Sequence, residues 1–146
     1  MESPFQIKRY DVTKIDYLHK PELYTCPGEE LEQTFSMSHR IGIAGGVNDG
    51  ERIGHLMSHV EFEFVCEPDK TRCAHLIVES VCAFSVPESI KEDDFAKMIQ
   101  LNGLATALPI LRSSVISVSC SVGLPAQALI PNVDVRKVEW GKSESQ

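Results

Sequence analysis

The chain has 146 residues, 42% hydrophobic and 24% charged, the composition of one soluble globular domain large enough to bury its own core. A net charge of −7 and a pI near 5.2 argue against nucleic acid and against an anionic membrane surface, both of which call for a basic face. Five cysteines with no C-x-x-C pair, behind an N-terminus that has no apolar signal-peptide core, point to unpaired thiols in a reducing cytoplasm.

The first two-thirds of the sequence reads as strands. Phe5 and Ile7 alternate with Gln6 and Lys8, and Ile15 and Tyr17 with Lys14 and Asp16, before a loop marked by Pro21, Pro27 and Gly28. A second strand is expected over about 31–43, ending at Gly45-Gly46 with a turn through Asn48-Asp49-Gly50. In the third, Val60, Phe62 and Phe64 face one way while His59, Glu61 and Glu63 face the other. Glu67-Pro68-Asp69-Lys70 forms the next turn. The fourth strand, about 74–86, is apolar on both faces (Leu76, Val78, Cys82, Phe84; Ile77, Val81, Ala83), which predicts a central or sandwiched position.

After Pro87 the period becomes helical. Glu92, Asp93 and Asp94 suit the positive end of a helix dipole. Leu104, Ala107, Leu108, Leu111, Val115 and Val118 then fall on one stripe, and Pro109 within it predicts a kink or break near Ala105. From Asn102 to Val133 the only charged residue is Arg112. Pro109, Gly123, Pro125, Pro131 and five serines interrupt this segment, so it is not expected to span a membrane. A helix without a charged face is instead covered on two sides, by the sheet and by a second subunit. Leu124, Ala126, Ala128, Leu129 and Ile130 form an apolar loop, and Val135, Val138 and Trp140 are the apolar handles of a short tail. The order predicts an α+β fold: a four-stranded antiparallel sheet with helices packed on one face. A single domain over 1–146 is expected, with the sheet in 1–87, helices in 88–122, and the loop and tail in 123–146.

Few residues invite chemistry. His55 and His59 have the four-residue spacing of a helical zinc pair, but on a strand that spacing separates them by more than roughly 10 Å. Cys120 sits near the negative end of a helix, which does not favour a thiolate nucleophile. Adjacent Asp93 and Asp94 point in different directions, and Gly42, Gly45 and Gly46 lack the setting of a phosphate-binding loop. No catalytic residue, metal or cofactor is expected. The apolar loop between prolines points instead to a groove for extended peptide.

Three blocks resemble the SecB family of export chaperones, and together they cover most of the chain. Phe5-Gln6-Ile7-Lys8-Arg9 resembles the F-Q-I-x-R opening of the family's first strand. Phe84-Ser85-Val86 leads into the helix as in the family. Pro109, Arg112, Gly123, Pro125, Leu129 and Pro131 are similar to its P-Y-x-R-E helix and G-x-P-x-x-x-L-x-P crossover loop, with Ile110 and Ser113 in place of the tyrosine and the glutamate.

The resemblance implies a cytoplasmic, ATP-independent holdase, a homotetramer built as a dimer of dimers, that binds unfolded polypeptides in apolar grooves for export. The residues expected to line that groove are Phe62, Phe64, Phe84, Leu108, Leu124, Leu129 and Ile130. An oligomer interface is expected at Leu104, Ile110, Leu111, Val115 and Ile116. Where the family uses acidic residues to dock the ATPase SecA, this chain has Lys14, Leu18 and Ile77. A stabilising chaperone of one partner, such as an antitoxin, is the alternative to a general holdase; a third reading is a non-chaperone ligand-binding domain.

Overall fold

Long runs of period-two alternation produce long strands. In the computed structural model, which describes residues 4–27, 30–67, 70–124, 128–131, 138, 140 and 144–145, these are β1 (Gln6–His19), β2 (Leu31–Asn48), β3 (Glu51–Cys66) and β4 (Thr71–Pro87). β2, β3 and β4 form an antiparallel meander, and β1 returns antiparallel beside β4, giving the order β1-β4-β3-β2. β4 is therefore central, which accounts for its apolar residues on both faces. The expectations for Gly28, Pro68, Asp69, Pro125, Ala126, Val133 and Val135 fall outside the described residues.

Asn48 pairs with Glu51 across a two-residue turn, with Asp49 at φ 53° and Gly50 at φ 77°. Positive φ at both central positions matches the right-handed twist of the strands and explains the Asp-Gly pair. β2 thus continues past Gly45-Gly46, with a register irregularity between Ile43 and Val47. A further two-residue strand, β5 (Glu144–Ser145), pairs parallel with Gly42 and Ile43 on the β2 edge, and Trp140 bridges to His39.

The connection from β1 to β2 must cross one end of the sheet. It does so through a 3-10 turn (Pro21–Tyr24), which buries Leu23 and which the Lys20 N–H anchors to the Cys73 carbonyl. This crossing brings Cys26 against the end of β3, where it forms a disulfide with Cys66, 40 residues on. The expectation that all the cysteines are unpaired thiols is corrected here: the pairing follows from the Greek-key-like return of β1, which residue spacing does not reveal. Cys73 and Cys82 are buried, and burial pushes the Cys82 thiol up to about 11.

Helix α1 (Glu92–Met98) opens with its three acidic residues and passes through a π-turn (Ile99–Gly103) into α2 (Leu104–Ser121). The irregularity lies at this π-turn, ahead of the expected break near Ala105. Pro109 sits inside the helix on its exposed side, where its ring does not disturb the packed stripe. The run Glu92–Ser121 is long and apolar enough to cross a membrane by length and composition alone, but one face of it lies on the sheet. Gly123, at φ 77°, closes α2: its N–H reaches the Cys120 carbonyl and the Leu124 N–H reaches that of Ser119. This pattern is a Schellman cap, and it explains why glycine stands there.

Two apolar clusters fill the space between helix and sheet. Phe62, Phe64, Leu76 and Val78 pack with Leu108, Leu111, Val115 and Val118; Leu56, Phe84 and Val86 pack with Phe95, Ile99 and Leu104. Each fully buried side chain of this size contributes about 1.5–3 kcal/mol. Between the clusters runs a buried polar row, His39, Ser58 and Ser80, in register across β2, β3 and β4.

Candidate functional site

The loop after α2 is held at three points. Arg112, the only charge in its segment, donates from Nη2 to the Pro131 carbonyl at 2.9 Å and from Nε to that of Ile130 at 3.3 Å. The Ser119 hydroxyl donates to the Val115 carbonyl and accepts from the Ala128 N–H at 3.0 Å. On β2, the Gln33 amide donates to the Leu129 carbonyl at 2.9 Å and accepts from the Leu129 N–H at 3.3 Å. Side chains then alternate as on a strand: Ala128 and Ile130 are buried, and Leu129 is 52% exposed. Half-buried Leu124, Leu31, Phe35 and Met37 pack around the same cluster. The result is an apolar strip along the loop and β2, with Leu129 as its most exposed described member.

Of the residues expected to line a groove, Leu124 and Leu129 offer surface. Phe62, Phe64, Phe84, Leu108 and Ile130 are buried in the two clusters, because the face carrying the phenylalanines is the one the helix covers. The expected oligomer interface divides in the same way. Leu104, Leu111 and Val115 point into the sheet of the same chain, while Ile110 and Ile116 are half-exposed. The outward face of α2 is still uncharged. Two of its hydroxyls bond to their own helix (Ser114 to the Ile110 carbonyl, Ser121 to that of Ser117), which lowers what the face loses when water leaves it.

The helix covers β1 only in part: Tyr10 and Tyr17 pack against the two clusters, but other side chains on the same face do not. Ile7, Val12 and Ile15 stand in register with buried Phe84, Ser80 and Val78, hence on the same face, yet are 43%, 38% and 52% exposed. This leaves an apolar stripe on a long edge strand.

The opposite face is polar. Lys14, Leu18 and Ile77 all lie there, with Lys14 Nζ 3.8 Å from Glu79 Oε1 and Leu18 exposed. His59 contacts Glu61 and Glu79 there, rather than forming a pair with His55. His75, hydrogen-bonded to Glu61, holds that carboxyl below its ordinary value; His59 adds to the effect, against a desolvation cost. The alternation of His59, Glu61 and Glu63 away from the phenylalanines is legible in the sequence; that β4 places His75 among them is not.

A four-stranded antiparallel sheet in the order β1-β4-β3-β2, with one long helix on one face and a latched crossover loop, is the SecB-like fold. The sequence matches no family model and no curated protein. The structure is similar to the Mycobacterium tuberculosis SecB-like chaperone Rv1957, solved in complex with a ChAD peptide from the HigA1 antitoxin. That likeness has a TM-score of 0.59 at 13% identity, covering 89% of this chain and 91% of the other. A Streptococcus agalactiae protein of unknown function aligns at a TM-score of 0.37 and 13% identity over 88% of this chain and 97% of its own, too remote to carry an argument.

Proposed function

We propose that the protein is an ATP-independent chaperone, not an enzyme, that holds extended, apolar polypeptide on the strip formed by Leu124, Leu129 and the half-buried side chains of β2. The observation that carries this reading is Leu129: an exposed leucine fixed by three side-chain latches is a ready contact surface, because little entropy is lost on ordering it. The uncharged outer face of α2 with Ile110 and Ile116, and the bare stripe of β1, suit self-association into a dimer of dimers. Lys14, Leu18 and Ile77 stand where the family has the acidic residues that dock SecA, so export through that ATPase is the weaker version of the proposal.

The test is the light-scattering mass of the protein mixed with a slow-folding client diluted from denaturant. A tetramer-sized particle should gain mass with the unfolded client and none with the folded one. Leu129→Asp should weaken client binding at least tenfold without changing the oligomer; unchanged affinity would sink the assignment of the strip. A second reading, a dedicated chaperone of one antitoxin-like partner, is supported by the peptide bound to the Mycobacterium tuberculosis neighbour. It predicts one tight partner and indifference to unrelated unfolded chains. Either role is consistent with the cytoplasm as the place of action.

A further inference from the structure

The polar face of the sheet carries a mixed histidine–carboxylate cluster that the chaperone reading does not use. Glu61 and Glu63 are two apart on β3 and so share a face, and β4 sets His75 directly opposite Glu63. One ligand atom from each of these three residues lies within 4.8 Å of the other two, and all three are half-buried. His59 extends the row: its Nε2 is 3.6 Å from Glu61 Oε2 and its Nδ1 is 3.4 Å from Glu79 Oε2. Two imidazoles thus converge on one carboxylate, and a second carboxylate stands behind one of them.

We infer that this cluster is a divalent transition-metal site, with His75, Glu61 and Glu63 as its protein ligands. Tetrahedral zinc holds nitrogen and oxygen donors at about 2.0–2.2 Å, which places them roughly 3.3 Å apart. The three ligand atoms already lie within 4.8 Å of one another, so closing to that spacing is a short inward movement. The donor set selects the metal: an imidazole with two carboxylates suits zinc, nickel or copper, whereas calcium and magnesium prefer oxygen alone. His59, held between Glu79 and Glu61, stands behind the Glu61 carboxylate and helps to orient it. Arg72, on Glu63 Oε1 at 2.6 Å, leaves the other carboxylate oxygen of Glu63 for the metal. A metal here clips β3 to β4 on the face opposite the helix, so it acts on the stability of the sheet without touching the client strip.

The experiment is calorimetric titration of zinc chloride into the untagged full chain carrying Cys120→Ser, which removes the exposed cysteine as a competing ligand. One equivalent should bind with micromolar affinity and raise the melting temperature, and a chelator should reverse the rise. His75→Ala and the near-isosteric Glu61→Gln should each weaken binding at least tenfold, while His55→Ala, on the same face but outside the cluster, should leave it unchanged. Cobalt(II) in place of zinc should give a spectrum free of thiolate charge transfer. Absence of saturable binding overturns the assignment, as does undiminished affinity in both His75→Ala and Glu61→Gln. Client binding that survives these substitutions separates this inference from the chaperone proposal.

Discussion

Gln33 and Leu129 lie 96 residues apart, and the side-chain amide of the first engages both backbone groups of the second. The amide takes the place of a neighbouring strand. It satisfies the N–H and the carbonyl of a loop residue, so the loop runs beside β2 without joining the sheet. The alternation of buried Ala128, exposed Leu129 and buried Ile130 follows from that strand-like path.

The latches are separable. Gln33→Ala should cost about 0.5–1.5 kcal/mol, the net worth of ordinary hydrogen bonds, because the freed Leu129 groups can turn to water. Arg112→Met should cost more, about 1.5–3 kcal/mol, since a charged donor is withdrawn from two carbonyls. Urea midpoints give the stabilities, and amide exchange at Ala128 and Leu129 reports the loop. Unchanged exchange in both variants would show that apolar packing of Ile130 holds the loop by itself.

Much of the fold is written in local pattern. The alternation of β3, the acidic start of α1, the stripe of α2 and the Asp-Gly turn each follow from periodicity or turn chemistry, and all four strands and the helix follow from them. What local pattern cannot carry is which distant residues meet. Nothing near Arg112 in the sequence names the Ile130 and Pro131 carbonyls as its partners, and nothing near Cys26 names Cys66. Periodicity likewise places Phe62 and Phe64 on one face without saying that the helix covers it, so the aromatic residues expected to line a groove are the ones used for the core.

Gly54 lies directly beneath Phe95 and Ile99, with no room to spare. A Cβ at this position would stand 2.7 Å from Ile99 Cδ1 and 2.9 Å from Phe95 Cε2. Those atoms are side-chain ends and can shift, so Gly54→Ala should be tolerated at a cost of about 1–3 kcal/mol from overpacking. That outweighs the roughly 0.4–1 kcal/mol gained by restricting the unfolded chain. Gly54→Val should cost more again and loosen the docking of α1. Thermal denaturation of the two variants gives the order, and an alanine variant more stable than the parent would show that the slot has room.

The Cys26–Cys66 link closes a loop of 40 residues. In the chain-entropy account that is worth about 4 kcal/mol, within a range of about 0–5 kcal/mol for disulfides generally. Cys26→Ser, or full reduction, should lower the urea midpoint accordingly, while the strands and helix remain. In a glutathione-poised cytoplasm the pair is expected to be reduced, so the same protein should be measurably less stable there than after oxidation. Mass spectrometry after thiol blocking fixes the redox state of each sample. Equal midpoints for oxidised and reduced chains would make the link energetically idle.

His39 couples stability to pH. The ring is buried, its Nδ1 is 2.8 Å from the Ser58 hydroxyl, and Trp140 packs at a centroid distance of 5.7 Å. Burial lowers its pKa from 6.5 to about 4. The folded protein therefore keeps the imidazole neutral where the unfolded chain takes up a proton. Stability is present in full above the unfolded value, falls as pH drops from about 6.5 to about 4, and is level below that. The loss amounts to at most about 3 kcal/mol. His39→Asn can preserve the contact with Ser58 and has nothing to titrate, so its stability should fall less steeply across this window. Urea titrations of both proteins through the window, taken as a difference, cancel the other four histidines. Parallel pH profiles would mean that His39 is protonated inside the fold, and that Ser58 and Trp140 accommodate the charge.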